Sequence, residues 1–262
     1  MAGEMDKIKQ EDVFYNHEGN SEEDKDEPTL ISLEKLSLGR SKKLLVLDLG
    51  GILCDRVFNK NCASIPERPP DSSNGSFLVY KRPYCEEFIR FCFERFELGI
   101  WSSAKRHNLM HALDCVMAEH RSKLLFVWGQ DECTNSGFYT LENKAKPIFL
   151  KELTKLWESK DSNLSWPAGK FSSANTLLID DQPYKALLNP PHTGIFPAAY
   201  NVKDENDEAL GPDGELWRFL DGLVEAADVT SYVEGHPFGQ PSITAAHPDW
   251  GFYSNIINVL QG

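Results

Sequence analysis

A chain of 262 residues, 41% of them hydrophobic, can bury a core without disulfide or metal staples, and it has no short repeat. This excludes a wholly disordered protein, a collagen-like rod and a coiled coil. The net charge of −13 has the wrong sign for a protein that coats nucleic acid, so direct nucleic-acid binding is not expected and basic partners are favoured.

Residues 1–29 hold ten acids and three lysines, over half of the net charge, with few apolar residues between them. Such a segment cannot offset its ordering entropy, so residues 1–40 are expected as a disordered acidic tail. No apolar leader and no Arg-rich, acid-poor presequence stands at the start. The longest apolar stretch, Leu44 to Cys54, contains Asp48 and is far short of the ~20 residues of a membrane helix. The expectation is a soluble intracellular protein without a membrane span, nuclear or cytoplasmic, with a mitochondrial setting as the alternative. The six cysteines form no CxxC pair and are expected as buried thiols rather than bridges or zinc ligands.

Leu44 to Leu47 run apolar into Asp48, the pattern of a buried parallel strand, and Gly50-Gly51 end it. Residues 59–76 predict a loop, and Phe77 to Tyr80 a short strand. Pro83 opens a helix whose buried face is Phe88, Phe91, Cys92 and Phe96. Leu98 to Trp101 predict a second buried strand ending in Ser102-Ser103; Leu109, Ala112, Leu113 and Val116 mark the helix that follows. Leu124 to Trp128 predict a third strand, residues 129–146 a polar loop, and Leu153, Leu156 and Trp157 a helix. Thr176 to Ile179 predict a fourth strand, ending in Asp180-Asp181. Leu216, Phe219, Leu220 and Leu223 mark a further helix; a loop from Gly235 to Pro248 precedes a short C-terminal one. Strands alternating with helices predict an α/β fold around a parallel sheet, whose ligands bind beyond the carboxyl ends of the strands. The domain reading is a tail at 1–40, a main domain at 41–230, and an extension packed on it at 231–262.

Three strands thus end in chemistry-bearing groups: Asp48, Ser102, and Asp180-Asp181. With a lysine added, this is a phosphoryl-transfer set. A carboxylate can attack phosphorus, a hydroxyl and a lysine can hold the equatorial oxygens, and a carboxylate pair can hold Mg²⁺. Other constellations carry less. His107 and His111 are four apart on one helix, but Asn108 follows His107 where a zinc hydrolase needs Glu. Gly50-Gly51 lacks the Gly-Lys-Ser/Thr of a phosphate loop.

The run Leu44–Leu53, Lys81-Arg82-Pro83 through Glu87-Phe88, Ile100-Trp101-Ser102-Ser103, Phe149 through Leu153, and Leu178 through Tyr184 resembles the haloacid dehalogenase (HAD) superfamily. Within it, the match is to the branch of RNA-polymerase-II C-terminal-domain (CTD) phosphatases and NLI-interacting-factor-like phosphatases, in wording closest to a plant subgroup. The resemblance implies a three-layer α/β/α, Rossmann-like domain with a central parallel sheet. It implies Asp48 as nucleophile, Ser102, Ser103 and Lys151 as phosphate-binding groups, with Ser102 and Lys151 also catalytic. It implies Mg²⁺ held by Asp48, the Gly50 carbonyl, Asp180 and Asp181. Cys133 matches a family cysteine to which no role is assigned.

The family's first motif is Asp-x-Asp-x-Thr; here Gly50 stands for the second Asp and Ile52 for the Thr. The second Asp protonates the leaving oxygen and later activates water, and glycine does neither. The resemblance therefore implies a Mg²⁺-dependent phosphoserine/threonine protein phosphatase, working through an aspartyl-phosphate and attenuated by roughly 10²–10⁴-fold for want of that acid/base. The alternative is a catalytically impaired binding module, as in the presequence-receptor subunit of the mitochondrial inner-membrane translocase. Either way the partner is a phosphoprotein or another protein; the oligomeric state stays open.

Overall fold

In the computed structural model, which describes residues 41–60, 65–158, 164–204 and 206–262, the first apolar run forms β1 (Leu44–Leu47) in the middle of a five-stranded sheet. Its four side chains are fully buried, each worth roughly 1.5–3 kcal/mol over exposure. On one side it pairs with β5 (Glu97–Trp101), which pairs with β6 (Phe126–Trp128); on the other it pairs with β9 (Thr176–Ile179), which pairs with β10 (Gly194–Ile195). All four pairings are parallel. Leu47 lies level with both Ile100 and Ile179, so Asp48, Asp180 and the Trp101–Ser102 end of β5 leave the sheet together at its carboxyl edge.

The period-2 alternation of β1 divides the core. Leu45 and Leu47 face a cluster with Phe88, Cys92, Leu109, Leu113 and Leu220, supplied by α1 (Cys85–Arg95), α2 (Arg106–Met117) and α4 (Glu215–Glu225). Leu44 and Val46 face the other side, against Trp101, Trp128, Leu156, Trp166 and Phe171. This second layer has little helix, since α3 (Thr154–Trp157) is a single turn. Aromatic side chains fill the space, with Trp101 edge-on to Trp128 and Trp166 edge-on to Phe171. The architecture is an α/β, Rossmann-like fold around a parallel sheet, as the alternation of strands and helices predicts.

Some local expectations change. Residues 129–146 are not all loop: β7 (Thr134–Tyr139) pairs antiparallel with β8 (Pro147–Leu150). Its sequence, Thr-Asn-Ser-Gly-Phe-Tyr, is polar because its faces are largely solvated, so periodicity alone did not mark it. The charged β2 (Cys54–Phe58) and the two-residue β3 (Ser72–Ser73), inside the expected 59–76 loop, flank β4 (Phe77–Lys81) in an antiparallel flap. The strand expected from Leu124 begins at Phe126, because a 3₁₀ turn at Ala118–Lys123 runs up to Leu124. The helix expected at Pro83 begins at Cys85, after Tyr84 takes a left-handed φ of 60°. A further helix, α5 (Val229–Gly235), is capped by Asp228, whose carboxylate accepts from Ser231 N–H.

The C-terminal α6 (Trp250–Gln261) buries Tyr253 and Ile256 against Ile148, Leu150 and Tyr184. Cys54, Cys85, Cys92 and Cys133 are buried and unbridged, and burial pushes the Cys85 thiol up to about 12. Cys62 and the expected tail at 1–40 lie outside the described residues. Among the described residues, no helix is long and apolar enough to cross a membrane.

Candidate functional site

Asp48 is 3% exposed, one residue past a fully buried strand. One carboxylate oxygen, Oδ1, accepts from Leu49 N–H at 2.8 Å. The other, Oδ2, faces two ammonium groups: Lys185 Nζ at 2.6 Å and Lys151 Nζ at 3.4 Å. Burial alone would raise this carboxyl, but the two lysines outweigh it and hold Asp48 well below the usual carboxylate range.

Asp180 is completely buried. Its Oδ2 accepts from Lys151 Nζ at 2.5 Å; its Oδ1 lies 2.9 Å from Lys185 Nζ and accepts from Gln182 N–H at 2.9 Å. Desolvation here exceeds the pull of both lysines and, with Asp48 and Asp181 adding repulsion, pushes the Asp180 carboxyl up to about 6. Asp181 is the outer member. Its Oδ1 lies 3.7 Å from Lys185 Nζ, and its Oδ2 accepts from the Gln182 side-chain amide at 2.8 Å. Gln240, far along the chain, donates to the Asp181 carbonyl at 2.9 Å.

Lys151 follows β8 and is fully buried. The two lysines share a backbone link: Lys151 N–H donates to the Lys185 carbonyl at 2.8 Å. Lys185 sits in a 3₁₀ turn at Pro183–Ala186, and the turn aims its side chain back at the acids that precede it. Burial works against its charge, but Asp180, Asp48 and Asp181 hold the ammonium well above its ordinary value. Sequence reasoning did not single out Lys185. The available signal was weak: a lysine four residues after Asp181, the i,i+4 spacing of an ion pair.

The loop after Asp48 is equally specific. Gly51 has φ 82°, and a Cβ there would come within 2.8 Å of the Asp181 carboxylate, so only glycine fits. A Cβ on Gly50 would meet only Arg56 Nε, at 3.5 Å. The place of the missing side chain is thus bordered by a guanidinium. Ile52 does not line the site; it is fully buried in the helix-side core.

Arg82, from the Arg-Pro run, fixes this loop from behind. It donates to the Ile52 carbonyl at 3.2 Å and grips Asp207 with two bonds, at 2.8 and 2.7 Å. Arg82→Lys keeps the charge but loses the fork, so we expect a stability loss of about 1.5–3 kcal/mol in urea unfolding. An unchanged midpoint would show that the fork contributes nothing.

Ser102 is buried at the end of β5; its hydroxyl accepts from Ala104 N–H at 3.3 Å, and Ser103 beside it is half-buried. Both belong to the neighbouring strand end and lie outside the hydrogen-bonded cluster of Asp48, Asp180, Asp181, Lys151 and Lys185. Cys133 is buried, its thiol donating to the Gly129 carbonyl at 3.5 Å. His107 is exposed, whereas His111 bonds the Ser72 hydroxyl at 2.9 Å, so the pair does not converge as a zinc site.

Phosphatases of the FCP1-like type generally use Mg²⁺, and Asp48, Asp180 and Asp181 each offer one oxygen within 4.8 Å of the others. The carboxylates suit such an ion, but the space among them does not, because the Lys185 ammonium stands there.

The family model for NLI interacting factor-like phosphatases matches residues 43–230. An uncharacterized FCP1 homology domain-containing protein of Schizosaccharomyces pombe is 25% identical over 220 residues, covering 81% of this chain and 85% of its own. The structure of Fcp1, an essential RNA polymerase II CTD phosphatase, is similar at TM-score 0.40 and 14% identity, over 83% of this chain and 62% of that one. Fission yeast Fcp1 bound to beryllium fluoride gives the same figures, TM-score 0.40 and 14% identity over 83% and 62% of the two chains. With the whole five-stranded sheet and every residue of the carboxylate–lysine cluster inside the matched span, the chain belongs to the NLI interacting factor-like phosphatase family.

Proposed function

We propose that this domain binds phosphoserine or phosphothreonine in protein segments and hydrolyses it slowly, with Asp48 as the nucleophile. The observation that carries the reading is the pairing at Asp48: a buried carboxylate kept ionised by two lysines, at the end of a strand paired with the one that leads to Ser102. In the first step an Asp48 oxygen bonds to phosphorus as the ester P–O bond breaks, and the serine oxygen leaves with the electron pair. Lys151 and Ser102 serve the equatorial oxygens, whose charge spreads in the transition state. No side chain at position 50 can protonate the leaving oxygen, so its proton comes from water. A second water then attacks phosphorus, and the acyl-phosphate P–O bond breaks. The missing acid/base attenuates both steps by roughly 10²–10⁴-fold. Because Lys185 stands among the three carboxylates, no step of this reading runs through a metal ion.

A second reading is a phosphate-recognising module without turnover. The 2.6 Å grip of Lys185 on the attacking oxygen favours it. We take the partner to be a phosphoprotein and the setting to be nuclear or cytoplasmic, supported by the family and by the CTD phosphatases it resembles.

Phosphate release from an aryl phosphate separates the two. The expected result is slow hydrolysis by the wild type, abolished in Asp48→Asn. Hydrolysis that survives in Asp48→Asn would reject the nucleophile. No wild-type signal at all would select the binding module.

A further inference from the structure

We propose that the Lys185 ammonium is a built-in replacement for the divalent cation, so that the Asp48–Asp180–Asp181 cluster takes up no magnesium and phosphate binding here is metal-independent. The inference rests on the phosphate-binding reading of the site, and adds which cation neutralises it.

One oxygen from each carboxylate lies within 4.8 Å of the other two. Lys185 Nζ lies 2.6, 2.9 and 3.7 Å from Asp48 Oδ2, Asp180 Oδ1 and Asp181 Oδ1. The first two are charge-assisted contact lengths, and the third is an ion pair longer than a hydrogen bond. Mg²⁺ needs oxygen ligands at about 2.0–2.1 Å with several waters around it, and the ammonium leaves no place for either.

The lysine is not a loose surface arm that an ion could brush aside. Its side chain is 6% exposed. Its backbone N–H donates to the Gln182 carbonyl at 3.0 Å, and its carbonyl accepts from Lys151. The other carboxylate oxygens are also taken: Asp48 Oδ1 by Leu49 N–H, Asp180 Oδ2 by Lys151, and Asp181 Oδ2 by Gln182. An entering ion would have to break the Lys185 contacts and would sit beside two buried ammonium groups. The charge count agrees. Three carboxylates against two ammonium groups leave one negative charge, whereas without Lys185 they leave two, the deficit that a divalent ion cancels.

The test titrates Mn²⁺, followed by its EPR signal, into the full chain and its variants. The wild type should show no saturable site at millimolar Mn²⁺. Lys185→Asn should gain a site at least ~100-fold tighter, the effect of removing a unit charge a few ångströms away in a partly buried place. Adding Asp181→Asn should remove that site again. Inorganic phosphate should bind the wild type equally with and without EDTA.

A saturable wild-type Mn²⁺ site that Asp181→Asn abolishes would overturn the proposal, and needs no Lys185 variant. So would a folded Lys185→Asn, checked by circular dichroism, that gains no site. Failure of the underlying reading looks different: wild-type protein that binds neither Mn²⁺ nor phosphate. Wild-type Mn²⁺ uptake with Asp48-dependent hydrolysis would sink the lysine claim and leave the phosphatase reading standing.

Discussion

Gly50→Asp is expected to raise the hydrolysis of a phosphoserine peptide by roughly 10²-fold or more, because it restores a carboxyl that can protonate the leaving oxygen. The backbone has room for it, since a Cβ at position 50 meets nothing closer than Arg56 Nε at 3.5 Å. That same guanidinium limits the gain. A carboxylate beside it is held ionised, and an ionised group cannot act as the acid. The gain should therefore fall at the low end of the roughly 10²–10⁴-fold range, and Arg56→Gln in the Gly50→Asp background should increase it further. The effect should be greater for phosphoserine than for an aryl phosphate, because an alkoxide leaves poorly without a proton. Steady-state rates on both substrates check this. A folded Gly50→Asp protein with the wild-type phosphoserine rate would show that the missing acid is not what limits turnover.

Lys151→Met should lower stability by about 3–5 kcal/mol, the cost of removing one partner from a buried charge pair. Lys151 is completely buried, 2.5 Å from Asp180 and 3.4 Å from Asp48. The variant leaves three carboxylates facing Lys185 alone. The loss should depend on pH, with a sign that follows from Asp180. Its carboxyl lies at about 6 in the fold against 3.8 in the open chain. A raised carboxyl favours the fold while protonated; that contribution is complete below 3.8 and is lost as pH rises through about 6. Without Lys151 the ionised form is paired less, so the deficit should be largest on the alkaline side of that value. Urea unfolding over a pH series reads it. Wild-type stability throughout would show that Lys185 alone satisfies the cluster.

The sheet was legible because its strands are apolar runs that end abruptly in polar groups. Leu44–Leu47 and Thr176–Ile179 are buried on both faces, and that pattern is hard to mistake. The hairpin of β7 and β8 was not legible, because β7 is largely polar and solvated, shows no apolar period, and buries a serine rather than an apolar side chain at its centre. The flap of β2, β3 and β4 was only partly so, since β3 is two serines and β2 mixes charged with apolar residues, and its buried Val57 and Tyr80 find their partners only in the distant Tyr200 and Val202. Asp48, Asp180 and Asp181 announced themselves as acids just past buried strands, and Gly50 stands where the resemblance implies a second Asp.

Lys185 could not be recognised in this way. A lysine in a short turn ordinarily faces solvent, and apart from its spacing of four from Asp181 nothing local says otherwise. It is buried only because acids more than 130 positions apart in the chain meet at one sheet edge and together repay its desolvation. The sequence by itself determined the parallel sheet and the acids at its strand ends, since these follow from apolar runs within a few residues; the acid/base missing at Gly50 is what the family resemblance implies. Only the tertiary structure decided which cation sits among the carboxylates and that Arg56 borders the vacancy at position 50. Those are contacts between segments, and a charge gains its partner from where the chain folds, not from its neighbours along it.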